Sequence, residues 1–124
     1  MLFRSAGHQV ILADPFAGAV DRARDAHAKT MAREVEKQRL TREQADQILG
    51  RIQYLTPATG DYSAFAPAGL VIEAIIEDLA IKKATFKGLE AATTDTAILA
   101  SNTSSLSITA ISSACQHQIG RAHV

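Results

Sequence analysis

Short apolar runs bounded by turn residues alternate along this chain with longer stretches in which apolar residues recur every three or four positions. QVILA (residues 9–13), GLVIEAI (69–75) and AILA (97–100) are rich in aliphatic and β-branched residues and predict buried strands. After the first, Phe16, Val20, Ala23, His27, Met31 and Val35 step along one face of a helix expected over about residues 16–38. Thr41, with Gln44 three residues on, forms a capping box for a second helix striped by Ala45, Ile48, Leu49 and Ile52. IQYLTP holds a short strand, Gly60 and Asp61 mark a turn, and a helical turn is expected near residues 62–66. Glu77 and Asp78 stand where a further helix begins, favourable against its positive end. That helix runs to about Ala92 with Leu79, Phe86 and Leu89 inward. Ser107 caps the last helix, and Leu106 with Ile111 makes a hydrophobic staple.

Strands that are nearly all apolar, alternating with helices, predict an α/β fold whose parallel sheet is covered on both faces. Ligands bind such sheets at the carboxyl ends of the strands. Polar groups stand at three such ends: Asp14, the segment from Glu73 to Glu77, and SNTSS at residues 101–105. Together they are expected to outline one crevice.

Composition narrows the function. The 124 residues suffice for one domain or part of one, and 47% hydrophobic content is enough for a core. Thirteen basic and thirteen acidic residues cancel, which argues against a nucleic-acid partner. No run is long enough to span a bilayer, and the start is too short and polar for a signal peptide. The single cysteine, Cys115, excludes an internal disulfide framework and fits a reducing, cytoplasmic setting. No residues have metal-ligand spacing.

The stretches GHQVILAD, GLVIEAIIEDLAIKKATFKGLE and ILASNTSSLSIT, in this order and spacing, resemble the NAD-binding domain of the 3-hydroxyacyl-CoA dehydrogenases, which act on substrates such as 3-hydroxybutyryl-CoA and 3-hydroxyadipyl-CoA. The resemblance runs from about Phe3 to Ala114. It implies a Rossmann-type, doubly wound sheet with an inserted helical hairpin, an NAD cofactor, and oxidation of a 3-hydroxyacyl-CoA to the 3-ketoacyl-CoA as part of β-oxidation chemistry. By the same resemblance Asp14 pairs with the adenosine ribose, a carboxylate suited to two hydroxyls and repelled by the extra phosphate of NADP. Asp14 also reads as a helix N-cap, and both roles can coexist. Ile75, Ile76, Glu77 and Lys82 match positions lining the cofactor site, although Glu77 and Lys82 by spacing alone read as solvated helix residues. Ser104 matches a serine touching substrate and the nicotinamide end of the cofactor. Thr30 and Lys37 align with coenzyme A contacts, Lys37 also reading as a solvated helix lysine, and His27 reads as a histidine at the edge of the core. The family's enzymes imply a homodimer.

The departures from the family are equally definite. Its first strand and G-x-G-x-x-G turn, which seats the pyrophosphate, have no counterpart here, nor do the histidine and glutamate of its catalytic dyad or its helical second domain. Residues 1–117 are therefore expected to be part of an NAD-binding domain truncated at both ends. The tail QIGRAHV, residues 118–124, fits nothing in the family and reads as a translated sequencing adapter, with a divergent natural tail as the other reading. Without the central strand, residues 1–124 alone are expected neither to fold stably nor to catalyse. Two other readings stand beside this one. The first is a different NAD-dependent hydroxy-acid dehydrogenase, though such relatives lack the inserted hairpin of residues 21–49. The second is a piece with no function of its own.

Overall fold

The computed structural model describes residues 6–116 and 122–123. Their elements are β1 (Val10–Ala13), α1 (Ala17–Glu36), α2 (Arg42–Gly50), β2 (Ile52–Leu55), a 3-10 turn (Ser63–Phe65), β3 (Leu70–Glu73), α3 (Leu79–Ala92), β4 (Ile98–Ser101), α4 (Ile108–Ser112) and β5 (Ala122–His123). They divide into two compact units, residues 1–59 and 60–124.

In the first unit β1 and β2 pair in parallel, Val10 opposite Ile52 and Ala13 opposite Leu55. Parallel neighbours require a crossover, and the α1–α2 hairpin supplies it. Helix α1 turns off through Lys37 into Gln38, whose φ of 56° is the left-handed value of a helix stop. Helix α2 opens on the expected capping box: Gln44 N–H donates to Thr41 Oγ1 at 3.1 Å, and Thr41 N–H donates to Gln44 Oε1 at 2.9 Å. Met31, Ala45 and Ile48 form the buried core of the hairpin, with Val35, Leu40 and Leu49 packed around them.

Three expectations change in this unit. Phe16 lies outside the helical stripe; it is the N-cap of α1, makes no side-chain cap and is 74% exposed. Ile52 belongs to β2, because the helix ends at Gly50 and Arg51. β1 is half-buried rather than buried, in keeping with β2 as its one paired neighbour among the described residues.

In the second unit β3, β4 and β5 form a parallel sheet in that order, with Leu70 opposite Ile98 and Glu73 opposite Ser101. Val71 and Leu99 point into a core completed by Phe86 and Leu89 of α3, Ile111 of α4 and Cys115. Leu106 packs on this cluster, as its staple role requires. Gly88 is needed on α3 because the ring of Tyr62 occupies the space of a β-carbon there. Leu70, Ile72 and Ile98 stay exposed, so the expected covering of both sheet faces is not met at these positions. β3 ends at Glu73 rather than at residue 75, leaving Ile75 and Ile76 in an exposed link to α3. β4 runs one residue later than expected, so the first serine of SNTSS is a buried strand residue.

Parallel strands joined by helices in β-α-α-β and β-α-β-α-β order are part of the Rossmann-type arrangement implied above, with the helical hairpin inserted. The expected foreign tail lies outside the described residues, apart from the backbone of residues 122–123 that pairs with β4.

Candidate functional site

Alternation along β3 places Val71 and Glu73 on the same inward face. A carboxylate there must be paired. The partner comes from α3, where Lys82, Phe86 and Leu89 follow the four- and three-residue spacing of one helix face, and all three are buried. Lys82 Nζ donates to both carboxylate oxygens of Glu73, at 2.6 and 2.7 Å. It lies 3.2 Å from Glu77 Oε1 and 3.4 Å from the carbonyl oxygen of Ile75. The Lys82 side chain is wholly out of solvent. Burial pushes its ammonium pKa down, but the hydrogen bonds to Glu73 and Glu77 outweigh this, and the net shift is upward.

From this pair the bonding spreads to the loop after β4. Ser101 Oγ donates to Glu73 Oε1 at 2.7 Å and accepts from Thr103 N–H at 3.1 Å. Asn102 N–H donates to the carbonyl of Glu73 at 2.9 Å. Thr103 Oγ1 and Ser105 Oγ donate to Glu77 Oε2 at 2.6 and 2.8 Å, and Thr103 Oγ1 accepts from Leu106 N–H at 3.1 Å. Hydrogen bonds from Thr103 and then Ser105, with a smaller contribution from Lys82, hold the Glu77 carboxyl at about 2. Asp78, not Glu77, caps α3, accepting from Ile81 N–H at 3.0 Å.

The five small polar residues of SNTSS thus divide by direction. Ser101 and Thr103 are buried and bonded inward, Ser105 is tied to Glu77, and Asn102 and Ser104 are exposed. Ser104 carries a hydroxyl with no hydrogen bond among the described residues, and its two neighbours are both anchored to Glu77. Ile75 and Ile76 provide exposed apolar surface in the β3–α3 link of the same unit. An exposed hydroxyl on a loop anchored at both its neighbours can donate to, or accept from, a bound ligand.

The sequence candidates Glu77, Lys82, Ser104, Ile75 and Ile76 all fall in this unit, around the ends of β3 and β4. Sequence reading passed over Glu73, Ser101, Thr103 and Ser105 as individual participants. The signal was present: a carboxylate in phase with Val71, and a lysine in phase with Phe86 and Leu89. The solvated character that spacing alone gave Lys82 is corrected, because its side chain is fully buried.

In the first unit Asp14 follows β1. Its Oδ1 accepts from Phe16 N–H at 2.8 Å, so it closes the turn without capping α1. Thr30 donates to the carbonyl of Ala26 at 2.8 Å. Lys37 is exposed at the end of α1. His27 Nδ1 lies 2.6 Å from Tyr54 Oη, and the Arg24 guanidinium sits 5.0 Å from the Tyr54 ring centroid. Among the described residues no cluster of three or more histidine, cysteine or acidic side chains could hold a metal, and no helix is long and apolar enough to cross a membrane.

Comparison with known proteins bears on this arrangement. The family described as "3-hydroxyacyl-CoA dehydrogenase, NAD binding domain" matches residues 1–123. The chain is 46% identical over 108 residues to the 3-hydroxyadipyl-CoA dehydrogenase of Escherichia coli K12, covering 86% of this chain and 22% of that protein. It is 37% identical over 111 residues to the 3-hydroxybutyryl-CoA dehydrogenase of Clostridioides difficile, covering 90% of this chain and 38% of that protein. A crystal structure of 3-hydroxybutyryl-CoA dehydrogenase from Escherichia coli K12 superposes with a TM-score of 0.90 at 38% identity, covering 98% of this chain and 25% of that one. The chain thus spans well under half the length of these relatives.

Proposed function

This chain belongs to the 3-hydroxyacyl-CoA dehydrogenase NAD-binding family, and from that premise we propose that it supplies the cofactor-binding part of an enzyme oxidising the 3-hydroxyl of a 3-hydroxyacyl-CoA with NAD. NAD, when bound, accepts the hydride released from the substrate carbon. The residues present fit such a cofactor. Asp14 uses one carboxylate oxygen on the Phe16 amide, leaving the other for a ribose hydroxyl. In the second unit Ile75 and Ile76 offer exposed apolar surface, and Glu77, held by Lys82, anchors the loop after β4; Glu77 and Lys82 are proposed as cofactor-site residues of that unit.

The observation that carries the proposal is Ser104, an exposed and unengaged hydroxyl on a loop whose neighbouring side chains are both anchored to Glu77. Anchoring fixes where that hydroxyl stands, so it can orient the reacting oxygen of a substrate. Glu77 is no base for an alcohol: its carboxylate is held at about 2 and is already accepting hydrogen bonds. Proton removal is proposed to fall to the histidine of the family's dyad, which has no counterpart in residues 1–124, and these residues alone are proposed to be inactive. Thr30 and Lys37 are proposed as coenzyme A contacts, and the working enzyme as a cytoplasmic homodimer.

The test is a chimaera of the Escherichia coli 3-hydroxyadipyl-CoA dehydrogenase in which residues 6–116 of this chain replace the matching segment. It should oxidise 3-hydroxyacyl-CoA with NAD, and Ser104→Ala should lower kcat more than NAD affinity. A folded chimaera in which Ser104→Ala leaves kcat unchanged rejects the assignment.

A further inference from the structure

We infer that Arg33 is a substrate-binding residue that takes a phosphate of coenzyme A, at the centre of a cationic row on α1 that Lys29 and Lys37 complete. The inference rests on the function proposed above and names within it the group that holds the nucleotide end of the substrate. Lys29, Arg33 and Lys37 follow one another at four-residue spacing along α1 and into its C-cap, so they stand on one face. All three are exposed. Among the described residues none of them is in an ion pair.

Elsewhere in the hairpin, charge is arranged differently. Arg24 pairs with Asp21 at 3.6 Å, Arg39 with Glu34 at 3.5 Å and Arg42 with Asp46 at 3.0 Å. Opposite charges at three- or four-residue spacing support a helix, whereas like charges four apart weaken it. The negative end of the helix dipole offsets that cost for Arg33 in the last turn and Lys37 at the C-cap. Its effect is confined to that turn and does not reach Lys29. The row therefore carries positive charge that the helix does not need for its own stability.

Thr30 decides which side chains on this face meet a phosphate. Its Oγ1 donates to the carbonyl of Ala26 at 2.8 Å, so its one hydroxyl proton is engaged. An ionised phosphate oxygen only accepts, and Thr30 can meet coenzyme A in this state only as an acceptor. The donors come from Arg33 and Lys37, three and seven residues on and on the same side of the helix. The planar fork of an arginine spans two phosphate oxygens at once, and a lysine adds a point charge beside it.

The experiment uses the chimaera, with coenzyme A itself as the probe in calorimetry, so that binding is read whether or not turnover follows. Arg33→Ala should raise the Kd for coenzyme A at least about tenfold, the scale of a lost hydrogen bond to a charged group. Arg33→Lys should recover part of that loss. Arg42→Ala removes an equal charge from the same hairpin and should raise the Kd less than about twofold, because attraction between separated exposed charges is screened. An unchanged Kd in Arg33→Ala overturns the inference. So does an equal rise in Arg42→Ala, which would reduce the row to general attraction.

Kinetics separate the inference from the function beneath it. Arg33→Ala should raise KM for 3-hydroxybutyryl-CoA with kcat unchanged, the sign of binding lost equally from ground and transition states. It should leave KM for 3-hydroxybutyryl-pantetheine, which carries no nucleotide phosphate, where it was. An equal rise for both substrates overturns the inference. A chimaera that binds coenzyme A through Arg33 yet forms no NADH contradicts the proposed function and leaves the phosphate site standing.

Discussion

Lys82 Nζ and the Glu73 carboxylate meet at 2.6 and 2.7 Å with both side chains out of solvent, joining the first turn of α3 to the end of β3. Each pays for the other's burial. Removing Glu73 leaves the buried Lys82 with only Glu77 at 3.2 Å and the Ile75 carbonyl at 3.4 Å, and breaking a buried pair costs up to about 3–5 kcal/mol. Glu73→Ala should therefore lower the stability of the chimaera far more than Lys83→Ala on the same helix. Denaturant melts of the two variants check this, and equal midpoints would count against a paired, buried Lys82.

Asp14 should set cofactor choice in the chimaera. Asp14→Ala should weaken NAD binding by roughly 1.5–3 kcal/mol, the scale of a hydrogen bond to a charged group. Calorimetry with NAD and NADP is the measurement, and equal affinities in the unmutated protein would remove Asp14 from the ribose site.

Glu77 gives a pH dependence of known sign. Its carboxyl is depressed from 4.5 to about 2 by Thr103 and Ser105 above all. A depressed acid contributes stability that is complete above its unfolded value and is lost as pH falls through its folded one. The melting temperature of the chimaera should accordingly decline as pH drops from about 4.5 toward 2, and Glu77→Gln should flatten part of that decline. A variant melting curve parallel to the parent's across this window would contradict the Thr103 and Ser105 hydrogen bonds.

Gly88→Ala tests the packing of the second unit. Alanine gains about 1 kcal/mol in helix propensity over glycine, but its β-carbon would overlap the Tyr62 ring. Overpacking costs typically about 1–3 kcal/mol, so the variant should be destabilised on balance. Tyr62→Ala in the same background should return the helix gain.

Much of this was legible in the sequence, for identifiable reasons. The Thr41–Gln44 capping box and the Ser107 cap are local chemistry, and both form. Phe16 misled because it kept the helical period while sitting one residue before the helix, where it is 74% exposed. The extent of β3 misled because Ala74 and Ile75 continue an apolar run, although the ladder with β4 stops at Glu73 and Ser101. The candidate site was half legible. Glu77, Lys82 and Ser104 came from resemblance, whereas the bonds joining Ser101 to Glu73, and Thr103 and Ser105 to Glu77, span 26 to 28 residues of sequence and depend on strand register. Local pattern cannot specify a pairing of that range; only the parallel alignment of β3 with β4 brings the two ends together.

The central claim, that these residues form the cofactor part of a 3-hydroxyacyl-CoA dehydrogenase, is tested most directly by following NADH formation from 3-hydroxybutyryl-CoA and 3-hydroxyadipyl-CoA. The chimaera carrying residues 6–116 and the 124-residue chain alone should be assayed side by side. The account predicts turnover by the chimaera with NAD, weak or no turnover with NADP, and none by the chain alone. A folded chimaera without NAD-linked turnover of either substrate would contradict it.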